Sequence, residues 1–182
     1  VADWSIRPAE TLRGARIAFS TDLGYATVDP QVRQAVEIAA QRIEREIGCR
    51  VERAHPQLRS PTQAFEALVA MDTDRAGLRR MAQERGIVLQ GWLARLIAQD
   101  WSADQFTEAL LERKRIVNST WRFMQNHDFL ITPTTASVAF PVDLDGPAVI
   151  DGCDVESTAW LAFSALGNLT GLPAASVPIG FT

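Results

Sequence analysis

Few side chains in this sequence stand where they could do chemistry. The two histidines, His55 and His127, have no cysteine or second histidine at metal-ligand spacing, and a zinc site is built from such clusters. His127 and Asp128 are chain neighbours, but no Gly-x-Ser-x-Gly elbow marks a serine nucleophile for them, and no glycine-rich loop is present to cradle phosphate. Cys153 would attack a carbonyl only as a thiolate, which needs a base or a helix N-terminus beside it, and no partner for it can be assigned. Arg113-Lys114-Arg115 contains the only lysine. It could meet an acidic partner, but the simpler reading is the solvated face of a helix. The most informative stretch is Thr158-Ala159-Trp160-Leu161-Ala162-Phe163, running into Asn168-Leu169-Thr170-Gly171-Leu172-Pro173 and then Ala174-Ala175-Ser176-Val177-Pro178. It predicts a tight polar turn at 168–171, with Gly171 in an unusual backbone conformation. A strand should follow, whose small side chains let another layer approach closely.

The elements that must position these residues are read from periodicity and punctuation. Arg16 to Ser20 is a short apolar run followed by a turn at 21–24, as expected of a buried strand. Asp29 can cap a helix that has Pro30 in its first position. Its inward stripe is Val32, Val36, Ala39, Ile43 and Ile47, and Gly48 stops it. A second strand runs from Cys49 to Ala54, with Val51 innermost, and His55-Pro56 ends it. Strand, helix, strand in this order implies a right-handed crossover and parallel pairing. Helices follow at Thr62–Met71 (Phe65, Leu68 and Val69 inward) and at Leu78–Arg85 and Val88–Ala98, split by Gly86. A Ser102/Gln105 capping box opens a long helix whose inward stripe is Phe106, Leu110, Val117, Trp121 and Met124. Phe129 to Thr132 is a third strand, stopped by Pro133. Residues 133–156 form a long Pro-, Thr- and Asp-rich connection, a length often functional in a compact domain. Ala159 to Leu166 is a short helix or turn, and 174–178 a last strand. The expected class is α/β: one domain over 1–182 with a mixed, partly parallel sheet flanked by helices.

Composition sets the outer bounds. The chain has 182 residues, 47% hydrophobic and 22% charged, enough to bury a real core. Its net charge of −4 argues against a nucleic-acid partner. Two cysteines, Cys49 and Cys153, are too few for a disulfide scaffold. No apolar run approaches the length of a membrane span. No metal or other cofactor is expected, and the expected compartment is the cytoplasm. Val1-Ala2-Asp3-Trp4 has neither an initiator Met nor a leader pattern, and an apolar run lies at the other end. Both termini are therefore expected to be cut ends of a longer protein.

Several blocks together resemble the amidase signature family in the region that follows its signature. Leu12-Arg13-Gly14-Ala15-Arg16-Ile17-Ala18, Leu23-Gly24-Tyr25 and Val28-Asp29-Pro30 are similar to the opening of that region. Asp128-Phe129-Leu130-Ile131-Thr132-Pro133-Thr134 is similar to its middle strand, and Asn168 to Phe181 to its closing run. The resemblance implies amide hydrolysis or transfer by a serine nucleophile, a bridging serine and a lysine base. That lysine must be unprotonated, a state that burial favours, and a Gly-Gly-Ser-Ser-type stretch supplies the serines and oxyanion donors. This sequence has no Gly-Gly pair and no Gly-Ser dipeptide. The resemblance therefore implies a C-terminal portion, inactive alone, that completes the sheet and walls the pocket for a small-molecule amide. Its partner would be the N-terminal catalytic half of the same protein. Trp160, Phe163 and Asn168 are the candidate substrate-binding residues. Family members that serve in glutamyl-tRNA amidotransferase carry an acidic residue shortly before the Asn-Leu turn. Leu161 occupies that region here, so a general amidase fits better than a glutamine-using transferase. A transferase-type portion, a non-catalytic α/β interaction module and a small hydrolase using Cys153 are the alternatives. Self-association stays open.

Overall fold

The computed structural model describes residues 12–89 and 91–181. Strand β1 (Arg16–Phe19) buries Ile17 and Ala18 at the centre of a sheet. Helix α1 (Pro30–Ile47) starts where Asp29 accepts the Gln31 N–H at 2.8 Å, and ends at Gly48, whose φ of 76° is the left-handed cap. Strand β2 (Arg50–Arg53) returns parallel to β1, with Ile17 opposite Val51. Helices α2 (Thr62–Asp72), α3 (Arg75–Arg85), α4 (Gly91–Ala98) and α5 (Ala103–Met124) follow, and strand β3 (Phe129–Ile131) pairs with the other side of β1, again parallel. The sheet order is therefore β2-β1-β3. The chain goes on through a hairpin of β4 (Val149–Ile150) and β5 (Cys153–Asp154), a 3₁₀ turn at Ala159–Leu161 and helix α6 (Ser164–Thr170). Leu23, Val28, Leu68, Ile116, Phe163 and Leu169 share the main core. Among the described residues no helix is long and apolar enough to cross a membrane.

The mixed α/β class holds, with parallel pairing in the three-stranded sheet and antiparallel pairing in the separate hairpin. Several expectations need correction. First, the last strand is not formed: residues 171–181 lie exposed outside any ladder. A strand exists only where a neighbour satisfies its backbone groups, and small β-prone residues do not create that neighbour.

Second, α5 buries Ala109, Ile116 and Thr120, while Leu110 and Trp121 are 40% and 62% exposed. The helix packs against α2 with Ala109, Ile116 and Thr120 on its buried face and not with its largest side chains, so residue size misleads about its inward face. Third, α4 begins at Gly91 rather than Val88, because Ile87 and Val88 point to solvent. In α1 the buried pair is Val36 and Ala40, one position beyond the expected Ala39. The 133–156 connection also contains the β4–β5 hairpin, which periodicity does not show. Its signal is Asp151-Gly152, with φ of 50° and 72°, the positive pair that a tight two-residue turn demands.

One ion pair ties the starts of the outer and central strands. The Arg16 backbone N–H and guanidinium each donate at 2.8 Å to the two oxygens of Asp128, and the Asp128 N–H donates to the Arg16 carbonyl at 2.7 Å. The Arg16 side-chain bond is the main cause that lowers the Asp128 carboxyl from 3.8 to about 2. A carboxyl depressed on folding stabilises above its unfolded value and loses that contribution as pH falls through its folded value. Urea melts of wild type and Asp128→Asn should therefore differ at neutral pH, and the difference should shrink between 3.8 and about 2. Separately, Ile116→Ala should cost about 2–4 kcal/mol in the same assay. Trp121→Ala should cost within ~0.5 kcal/mol if the observed α5 face is right.

Candidate functional site

The candidate wall is built on the short turn that carries Trp160. Its backbone is held from beneath at two points. Tyr25, the only tyrosine, donates its hydroxyl to the Ala162 carbonyl at 3.0 Å. Burial pushes this phenol well above its ordinary value, so it stays a neutral donor. The Trp160 carbonyl accepts the Ala136 N–H at 2.9 Å, and the Ala136 carbonyl accepts the Asp29 N–H at 2.8 Å. The capped start of α1, the loop leaving β3 and the Trp160 turn are thus one hydrogen-bonded unit around a fully buried alanine.

The indole is fixed as firmly as its backbone. Trp160 Nε1 donates to the Asp145 carbonyl at 2.9 Å, and Phe140 meets the ring edge-on with centroids 5.4 Å apart. Gly146 lies so close that a Cβ there would press on the Ser157 carbonyl and on Trp160 Cδ1. Arg95 donates to Ser157 Oγ at 3.0 Å and reaches Asp145 at 3.7 Å, holding the Asp145 loop against the turn.

The three expected site residues are placed differently from one another. Trp160 is half-buried on the turn. Phe163 is 6% exposed and sits in the main core, where it seats the turn. Asn168 lies on α6, with its Nδ2 donating to the Ser164 carbonyl at 2.9 Å. The expected polar turn at 168–171 is instead the end of that helix, capped by Gly171 at φ 71°. Sequence reasoning missed Tyr25, Ala136, Phe140 and Gly146. Tyr25 and Gly146 carried the signals of a lone phenol and of a glycine directly after Asp145, whereas Ala136 carried none.

At the ends of the parallel strands, where α/β sheets bind ligands, the chain turns sharply. Ser20 Oγ accepts the Leu23 N–H at 2.8 Å and Asp22 accepts the Gly24 N–H at 2.7 Å. Leu23 is buried with φ 51°, and Gly24 lies against the His55 ring, where any Cβ would clash. Thr134, just after β3, shares a 2.8 Å hydrogen bond with Ser176 of the exposed terminal run.

The remaining reactive groups form no catalytic cluster among the described residues. His127 is buried, with Nδ1 3.0 Å from the Phe123 carbonyl and Nε2 on Glu52, so it joins α5 to β2 rather than a serine. Lys114 is exposed on α5, and Cys153 is exposed on β5. Among the described residues no cluster of three or more His, Cys, Asp or Glu side chains could hold a metal.

The profile of the family described as Amidase matches residues 1–182. This chain belongs to the amidase family. An acylamidase from Rhodococcus erythropolis is 27% identical to this amidase-family chain over 194 residues, covering 94% of the chain and 36% of the relative. Among solved structures, a bacterial aryl acylamidase of the amidase signature family superposes with a TM-score of 0.78 at 24% identity, over 94% of this chain and 38% of that one. A glutamyl-tRNA(Gln) amidotransferase chain from Thermotoga maritima superposes with a TM-score of 0.60 at 22% identity, over 94% and 36%. The chain therefore spans little more than a third of each of these three relatives.

If Gly146 is what lets the Asp145 loop close on the indole, Gly146→Ala should lower stability by about 1–3 kcal/mol and shift the Trp160 fluorescence. Tyr25→Phe should cost about 1 kcal/mol from the lost hydrogen bond. Thermal melts check both.

Proposed function

We propose that this chain supplies the parallel sheet and one pocket wall of an amide hydrolase, and that the groups attacking the amide carbonyl lie outside these 182 residues. The observation that carries this reading is Lys114. Serine–lysine amide hydrolysis needs an unprotonated lysine, which burial provides, next to a serine. The only lysine here is exposed on α5, and no Gly-Ser dipeptide is present to form the nucleophilic turn. The family membership and the short share of each relative support the same division of labour.

The substrate we infer is a small acyl or aryl amide, in keeping with the names of the acylamidase and aryl acylamidase relatives. Trp160 is the wall residue we expect to touch it, with Phe163 seating the turn and Asn168 further along the same segment. We expect the parent enzyme to work in the cytoplasm, where the free thiols Cys49 and Cys153 are stable.

The test compares two polypeptides on a simple anilide. The 182-residue chain should release no amine, whereas a longer polypeptide carrying a serine-rich segment and a second lysine should. In that longer enzyme, Trp160→Ala should raise KM by about tenfold with kcat little changed, the size of effect expected for one apolar contact. Hydrolysis by the 182-residue chain that survives both Ser164→Ala and Ser176→Ala would overturn the assignment.

A further inference from the structure

Asp145 is held at both of its ends. Its carbonyl accepts Trp160 Nε1 at 2.9 Å, while its carboxylate lies against the start of α4. A Cβ on Gly91, the first residue of α4, would collide with both carboxylate oxygens, so the glycine leaves the space that the carboxylate fills. Gly91 also has a φ of 62°, which a side chain disfavours. One turn on, Arg95 Nη1 lies 3.7 Å from Asp145 Oδ2, and its Nη2 donates to Ser157 Oγ at 3.0 Å. Helix α4 thus grips the loop before the hairpin and the segment leading into the Trp160 turn at once. The helix is itself fixed: Leu96 and Ile97 are buried with Ala70 of α2, and Trp92 Nε1 donates to Glu66 of α2 at 3.0 Å.

This grip decides what Trp160 can offer a ligand. Its N–H is used on Asp145, so the indole presents ring carbon and no donor. Phe140 stands edge-on to it at an interplanar angle of 68°. Such a surface suits the flat apolar part of an amide substrate and not its carbonyl group.

We propose that Arg95 is a positioning residue for the amide substrate. Through Asp145 and Ser157 it fixes the indole plane against which an aryl group packs. The proposal rests on the reading of Trp160 as pocket wall. Arg95 touches no reacting atom, so it acts on substrate affinity and not on the chemical step.

The test uses the longer polypeptide that hydrolyses an anilide. Arg95→Met and Asp145→Ala both spare the carbonyl that accepts the indole. Each should speed exchange of the Trp160 indole N–H, assigned by its loss in Trp160→Phe, by about two- to fivefold, the size set by a partly exposed ion pair. Each should raise KM for the anilide by a similar factor of about two to five with kcat unchanged, and leave KM for acetamide unchanged. Arg95→Lys should recover part of the loss. Arg95→Met should add nothing to KM in a Trp160→Ala background, because the two act through one contact. The inference is overturned if the indole exchange does not respond, if kcat falls in place of a rise in KM, or if the effects of Arg95→Met and Trp160→Ala on KM multiply. Absence of hydrolysis by the longer polypeptide counts against the hydrolase reading, and the indole exchange then decides the role of Arg95 on its own.

Discussion

The structure turns on one buried backbone unit. Ala136 has no exposed surface, yet its N–H and carbonyl are both satisfied, the first by Trp160 and the second by Asp29. An unpaired buried peptide group costs about 1–3 kcal/mol, so neither bond is lost cheaply. Because the two bonds share one peptide segment, the start of α1, the exit from β3 and the Trp160 turn cannot shift independently. Any side chain on that turn inherits its position from the sheet.

The sheet in turn is anchored at both ends. At its start, the Arg16–Asp128 pair adds side-chain bonds to the backbone bond between the same residues, fixing β3 against β1 before the first ladder position. At the other end, the turn after β1 forces Leu23 to a positive φ, a conformation costly for a branched side chain. Complete burial of Leu23 in the main core offsets that cost. The strain therefore sits where the parallel strands end, beside the loop carrying His55 and near the residues that lead to the candidate wall.

Much of this was legible in the residues because local rules and tertiary needs agree. Asp29-Pro30 and Gly48 bracket α1, Ser102 and Gln105 form the reciprocal cap of α5, and the three strands fall where short apolar runs meet turn residues. What was not legible depended on partners distant in sequence. The buried face of α5, where the helix packs on α2, carries Ala109, Ile116 and Thr120, and the large Trp121 faces outward. The run from Ala174 to Pro178 has strand-like composition but, among the described residues, no strand beside it. At the candidate wall, Trp160 stood out by type, whereas two of the groups that hold it are backbone atoms, the Ala136 N–H on its carbonyl and the Asp145 carbonyl on its indole. Backbone partners leave no mark on composition.

Membership in the amidase family fits a chain that is well packed around the turn but displays an exposed terminal run and an exposed α5 face. The Trp160 turn is held rigidly from within this chain. Amide hydrogen exchange at Asp29 and Ala136 tests it most directly. Both should be protected about as well as Ser20, whose N–H bonds to Ile131 in the extension of the sheet. Exchange at Ala136 as fast as in the exposed residues 142–145 would contradict it.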